Sequence, residues 1–261
     1  MRKHIGHRLN FGVGKVRAAL LAALAGLAFQ ALAAEPIRVV TEEFPPYNMT
    51  ENGKLTGFST EVVEAVLAEI GERATIQSMP WARAYDMAQS TENVLIFTIM
   101  RTAAREKLFK WVGVVAPSEW SLFSLKDNPI RLSTLEDAKK YQTATVNQDA
   151  GEQYLVSNGF EVGKNLQSSN KYEIDYEKLR AKRVDLWVEN DLVAAYIVRR
   201  AGGDPAKVLA RALPLPNLGG GEGAYMAFGL KTSQAVVDKF KQGLEAIKKN
   251  GKYDALKRKW L

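Results

Sequence analysis

Ile37-Arg38-Val39-Val40-Thr41 runs straight into Glu42-Glu43-Phe44-Pro45-Pro46-Tyr47, and the chain then enters residues 59–70, where Val62, Val63, Val66, Leu67 and Ile70 recur at helical spacing. The first piece has the apolar, β-branched character of a strand, the second the Pro-rich character of a loop. The third is an amphipathic helix, with Ser59 or Thr60 placed to cap its start and Gly71 to close it. Strand, loop and helix in that order open an α/β fold.

Working outward, the same alternation continues. A strand is expected near residues 74–78, a helix carrying Trp81, Tyr85 and Ala88, and an uninterrupted apolar strand over 94–99, which reads as buried on both faces. Residues 119–126 alternate as a strand. A second round begins over residues 134–140 and follows with a strand over 143–146 and a helix from Asp149. It continues through a strand over 184–188, a helix over 192–200 and the glycine run 219–221. A strand over 224–230 and helices over 232–249 and 253–260 close the chain. Such alternation predicts parallel sheets flanked by helices, with binding sites beyond the carboxyl ends of the strands.

The first 34 residues are of another kind. They carry Arg2, Lys3, Arg8, Lys15 and Arg17 without an acid, then an apolar run over 18–29 that ends in Ala31-Leu32-Ala33. This is the pattern of a signal peptide cleaved after Ala33 or Ala34, and the apolar run is short for a bilayer span of roughly 20 residues. With no cysteine in the sequence, neither a lipid anchor nor a disulfide is expected. The expected product is a soluble, periplasmic monomer.

The formal charge of +7 falls to +2 when the five basic residues of the leader are set aside. That removes the argument for a nucleic-acid partner, which needs clustered basic residues in the folded domain. Both histidines, His4 and His7, lie in the leader as well. Nucleophilic triads need an imidazole base, and zinc or copper sites normally recruit imidazole or thiolate. No metal or other cofactor is therefore expected, and any catalysis would rest on carboxylates, Lys, Tyr or Arg.

The ordered run of Thr41-Glu42-Glu43-Phe44-Pro45-Pro46-Tyr47, Gly57-Phe58 opening a helix, Met79-Pro80-Trp81-Ala82-Arg83, Thr102-Ala103-Ala104-Arg105 before Phe109-Lys110-Trp111-Val112, Gln148-Asp149-Ala150-Gly151-Glu152, Val184-Asp185-Leu186 and Asn250-Gly251-Lys252-Tyr253 before Trp260 resembles the family 3, polar-amino-acid type of extracellular solute-binding proteins. The resemblance implies a two-lobed type II periplasmic-binding-protein fold, each lobe a mostly parallel sheet flanked by helices, joined by a two-strand hinge. The expected division is 1–34 leader, 35–121 first segment of lobe one, 122–223 lobe two, and 224–261 the return to lobe one. The strands near 119–125 and 224–230 are the expected crossings.

The resemblance also implies a small carboxylate-bearing, amino-acid-like ligand held between the lobes and a membrane permease of an ABC transporter as partner. It gives Arg105 the ligand carboxylate, a role that suits a planar, permanently charged fork. Thr102, Arg101 and Arg83 are further candidates at the same mouth. If two of the three arginines point inward, the ligand carries more than one negative charge or the cleft holds an acid, for which Glu43 is the candidate. Phe44, Tyr47, Trp81 and Trp120 are candidate cleft walls. In lobe two, Asp149 and Ala150 stand where relatives carry small hydroxyl residues, and the backbone amides at Ala150 and Gly151 offer an anion site. Asn190 falls where relatives carry an aspartate for the ligand ammonium, with Glu189 and Asp191 on either side. Two other functions fit the same fold. One is a cyclohexadienyl-dehydratase-like enzyme working through Glu43, Glu189 or Asp191; the other is a sensory protein that presents its ligand to a receptor.

Overall fold

In the computed structural model the described residues are Met1, 36–218 and 222–261. Residues 2–34 of the expected leader and the glycine run 219–221 lie outside them. Two five-stranded sheets and a small hairpin organise the rest. The first sheet holds β1 (Arg38–Thr41), β4 (Ile76–Ser78), β5 (Val94–Met100), β6 (Phe109–Ala116) and β12 (Ala224–Gly229) in the order β4-β1-β5-β12-β6. The second holds β7 (Trp120–Leu125), β8 (Thr143–Val146), β9 (Leu166–Ser169), β10 (Leu186–Asn190) and β11 (Leu209–Pro214) in the order β11-β7-β10-β8-β9. The hairpin pairs β2 (Met49–Glu51) with β3 (Lys54–Thr56).

The two sheets are mixed in the same way. In the first, β1 runs parallel to β4 and β5, and β12 alone is antiparallel to its neighbours β5 and β6. In the second, β10, β8 and β9 are parallel, and β7 alone runs against its neighbours β10 and β11. The reversed strand in each sheet is the first one laid down after the chain arrives from the other sheet. So β7 and β12 each lie wholly within one sheet, and the chain changes sheet before them: residues 117–119 lead into β7, and the described residues 215–218 and 222–223 lie between β11 and β12.

Helices α1 (Phe58–Glu69), α2 (Trp81–Ser90) and α8 (Gln234–Lys249) cover the first sheet, and α9 (Lys252–Trp260) packs on α1 and α8; α4 (Ala150–Ser157), α5 (Tyr172–Arg180) and α6 (Asp191–Arg200) cover the second, with the short α3 (Leu135–Ala138) and α7 (Pro205–Val208) at its edge. All of them belong to one unit, residues 37–261. Strand alternation sends Val39, Leu95 and Phe97 toward α1 and α8, and Val40, Val94 and Ile96 toward α2. Every residue of β5 and β10 is buried, including Glu189 and Asn190. The alternation read over 119–126 does not describe β7, which is buried along nearly its whole length because both of its faces are covered.

Neither Ser59 nor Thr60 caps α1. Both lie inside its first turn, and the position before the helix is Gly57, with φ 113° and no side-chain cap. The free amides of Phe58, Ser59 and Thr60 instead donate to the carbonyls of Pro46 and Tyr47, so the Pro-rich loop itself caps the helix. A Cβ on Gly57 would sit 2.6 Å from the Tyr47 carbonyl oxygen. Gly57→Ala is therefore expected to destabilise the protein by about 2 kcal/mol or more, through left-handed strain and a backbone clash together. Urea unfolding measures this, and a midpoint unchanged from that of the parent would contradict the capping arrangement.

Candidate functional site

The carboxyl ends of the parallel strands in both sheets converge on one region. Glu42 and Phe44 follow β1, Trp81 follows β4, Thr98 and Met100 end β5, Asp149 and Ala150 follow β8, and Tyr172 follows β9. These residues, with Arg105 and Trp120, line a single cavity between the sheets. The lobes meet closely there, leaving about 10 Å³, enough for the centre of one water-sized sphere.

Arg105 is the centre of this arrangement. Its side chain is 0% exposed, and its guanidinium lies 4.9 Å from the ring centre of Trp81 and 5.0 Å from that of Tyr85. Nε donates to Oε1 of Gln153 at 2.8 Å and Nη2 to the carbonyl of Gln148 at 3.0 Å, both in lobe two; Nη1 makes a long contact with the Met100 carbonyl at 3.4 Å. All three acceptors are neutral. Among the described residues no carboxylate forms an ion pair with it, and burial pushes its pKa below the usual arginine value. Trp81 shares the Gln148 carbonyl, donating from Nε1 at 2.6 Å.

Two backbone distortions shape the cavity. Thr98 has φ 60° and is the extra residue where the β5–β12 register shifts; its hydroxyl donates to Oδ1 of Asn48 at 2.6 Å in the interior. Gln148 has φ 59°, which presents its carbonyl to Trp81 and Arg105 together. A β-branched residue in the left-handed region is a costly conformation, and such strain gathers at ligand sites.

Facing Arg105 is a group of buried acids. Asp149 caps α4: its Oδ1 accepts from the Glu152 amide at 2.6 Å and from the Thr145 hydroxyl at 3.1 Å, while its Oδ2 is buried without a hydrogen-bond partner among the described residues. Oε1 of Glu42 accepts from the Tyr172 hydroxyl at 3.1 Å, a bond between the lobes. Glu189, wholly buried at the end of β10, accepts the Asn190 amide on Oε1. Burial raises the Asp149 carboxyl to about 7, against the opposing pull of the Glu152 amide and the Arg105 charge. Burial likewise lifts Asp175 to about 8 and holds Glu42, Glu189 and Tyr172 well above their usual ranges. No group of three or more acids among the described residues is placed to hold a metal ion.

The residues expected from the sequence separate into two sets. Arg105, Trp81, Phe44, Trp120, Asp149 and Ala150 come together at the cavity. The others do not. Arg101 pairs with Glu106 through two hydrogen bonds of 2.7 Å and lies over Trp111 and Tyr225 at the surface; Arg83 is exposed on α2, and Thr102 is half-buried beside Arg101. Glu43 is exposed on the rim, accepting from Thr50 and Ser78, and it is its neighbour Glu42 that faces inward. Tyr47 anchors the crossing, donating to the Pro117 carbonyl at 2.9 Å. Asn190 caps α6 with Oδ1 on the amides of Leu192 and Val193, and its Nδ2 donates to Ser118 in the crossing. Both ends of its amide are engaged away from the cavity. Asp191 pairs with Arg211. Sequence reading missed Glu42, Tyr172, Gln148 and Gln153.

With this geometry in view, comparison with known proteins gives a consistent answer. Residues 37–261 match the family described as bacterial extracellular solute-binding proteins, family 3, and the chain belongs to that family. It is 26% identical over 231 residues to an arginine-binding periplasmic protein of Mannheimia haemolytica, covering 87% of this chain and 92% of that protein. Among solved structures, a histidine kinase sensor domain with similarity to periplasmic binding proteins superposes with a TM-score of 0.74 at 21% identity, covering 87% of this chain and 96% of the other. An ancestral arginine-binding protein bound to arginine gives 0.73 at 23%, covering 87% and 98%. These likenesses establish the type II periplasmic-binding-protein fold. No helix among the described residues is long and apolar enough to cross a membrane.

The buried acids fix a pH dependence. Groups whose pKa is raised by folding hold protons in the folded protein that the unfolded chain has released, so stability falls as pH rises from the ordinary carboxylate range through the folded values. For Asp149 and Asp175 that window runs from about 4 to about 7 and 8. The surface acids held low by partners, Glu61, Glu69, Glu106 and Asp137, act in the opposite sense, but only below their unfolded values of about 4 to 4.5. The melting temperature is expected to descend from pH 5 to pH 8, and Asp149→Asn to flatten part of that descent. A rise over the same interval would contradict the assignment.

Proposed function

We propose that the protein is an exported solute-binding protein that captures a small carboxylate-bearing, amino-acid-like ligand between its lobes and delivers it to the membrane permease of an ABC transporter. The observation that carries this reading is Arg105: a guanidinium fully buried beside the stacked rings of Trp81 and Tyr85, at the carboxyl edge of both sheets, with neutral oxygens as its only hydrogen-bond partners among the described residues. A buried cation without a counter-charge is costly. A carboxylate offering two parallel acceptors would replace the Gln148 and Gln153 oxygens with charge-assisted bonds. Those oxygens belong to lobe two, so entry of a ligand at Arg105 goes with parting of the lobes and closure with re-forming contacts across them. The family match and the arginine-binding relative support an amino acid as the ligand class and an extracytoplasmic location, with the sequence's leader pattern agreeing. The family match also favours capture over catalysis.

A thermal-shift screen of the twenty amino acids, small dicarboxylates and dipeptides on the mature protein tests the reading, because a ligand that binds only the folded state raises its melting temperature. At least one free amino acid is expected to do so. For that amino acid, Arg105→Ala is expected to lose about 2–5 kcal/mol, roughly a 30- to 4,000-fold weakening by calorimetry. Unchanged affinity in the variant would refute the role of Arg105.

A further inference from the structure

The polarity of the lobe-two side of the cavity is the reverse of what an anion site requires. At the start of α4, where the ligand's anion was expected to meet backbone amides, the carboxylate of Asp149 has taken the Glu152 amide for itself. Its other oxygen, Oδ2, is buried and has no hydrogen-bond partner among the described residues, in a side chain 2% exposed that lines the cavity. A carboxylate oxygen left so has given up its water without compensation, and a cationic donor is the partner that restores most. Asn190, the residue expected to receive an ammonium group, has both amide atoms bonded to α6 and the crossing.

Spacing specifies the donor further. Nη2 of Arg105 is bonded to the carbonyl of Gln148, and Gln148 is the residue immediately before Asp149. The cation that suits a ligand carboxylate and the carboxylate that suits a ligand cation are thus next to each other across the closed cleft. In an α-amino acid the carboxylate and the ammonium are likewise borne on one carbon.

We propose that Asp149 is the specificity-determining anchor for the α-ammonium group of the ligand, filling the role that Asn190 does not, so that Arg105 and Asp149 together read the two charges of an α-amino acid. This rests on the function proposed above. The charged and titratable groups around Asp149 are Arg105 and Glu42 from lobe one and Glu152, Tyr172, Asp175 and Glu189 from lobe two. Only Arg105 among them is cationic, so the ammonium enters a surrounding otherwise short of positive charge.

The test uses calorimetry on the mature protein with two probe pairs, L-arginine with 5-guanidinopentanoate and L-glutamine with glutaramate, each pair differing only in the α-ammonium. The wild type is expected to bind at least one amino acid ten-fold or more tighter than its des-amino partner. Asp149→Asn preserves the helix cap and is expected to remove most of that preference, weakening the amino acid ten-fold or more while changing the des-amino acid less than three-fold. Asp149→Ser, also a capping residue, gives the same readout should the first variant not fold. Asn190→Asp is expected not to tighten binding of the amino acid. A preference that survives in the Asp149 variants, or a ten-fold tightening in Asn190→Asp, would overturn the proposal and leave the amino-acid-binding function standing. A wild type that prefers the des-amino acids would overturn it in the same way. A wild type that binds none of the four probes, nor any amino acid in the thermal-shift screen, would overturn both.

Discussion

The Arg105 guanidinium sits in the interior, beside the stacked rings of Trp81 and Tyr85, where water cannot screen or solvate it. Much of the surrounding architecture exists to make that position tolerable. The β4–α2 turn delivers Trp81, the end of β5 delivers the Met100 carbonyl, and the left-handed Gln148 turns a lobe-two carbonyl toward lobe one. Each supplies a partial negative charge or an electron-rich ring, and none supplies a full negative charge. That difference between partial and full compensation is what a ligand carboxylate can exploit, because it gains most where the existing partners are weakest.

The acids on the other side of the cavity extend the same logic. Asp149, Glu42 and Glu189 are buried by the same closure of the sheets and repel one another, so their protons are held tightly. A cation arriving among them would relieve that repulsion and release protons. Thr98 and Gln148 are strained, and that strain aims the Thr98 hydroxyl at Asn48 and the Gln148 carbonyl at Trp81 and Arg105, where a regular strand or an ordinary turn would direct them elsewhere. Helix α1 is tied into the same region, since its first amides hang from the carbonyls of the loop that carries Phe44 and Tyr47.

Much of the fold could be read from periodicity, and its two-lobed form from the order of motifs along the chain. What periodicity could not convey was parity beyond the end of a strand: Glu42 and Glu43 are adjacent acids just past β1, and only the bend of the loop decides which turns inward. Arg105 and Trp81 were singled out through the family resemblance of the motifs that carry them, Thr102-Ala103-Ala104-Arg105 and Met79-Pro80-Trp81, since Arg83 and Arg101 bear the same side chain as Arg105 and lie away from the cavity. Gln148 was not, because it acts through its carbonyl, which every residue possesses. Tyr172 follows β9, a short strand ending in Gln167, Ser168 and Ser169 that lacks an apolar run. The cap made by Asn190 was hidden by one residue: a helix read from 192 puts Asp191 in the capping position, whereas the helix starts at Asp191 and Asn190 caps it.

The most direct test of the account is a crystal structure of the mature protein grown with the amino acid that stabilises it most. The ligand carboxylate is expected to accept two hydrogen bonds from Arg105 beside the stacked Trp81 and Tyr85, with its ammonium against Asp149. A ligand seated elsewhere, with Arg105 still bonded to Gln148 and Gln153, would contradict it.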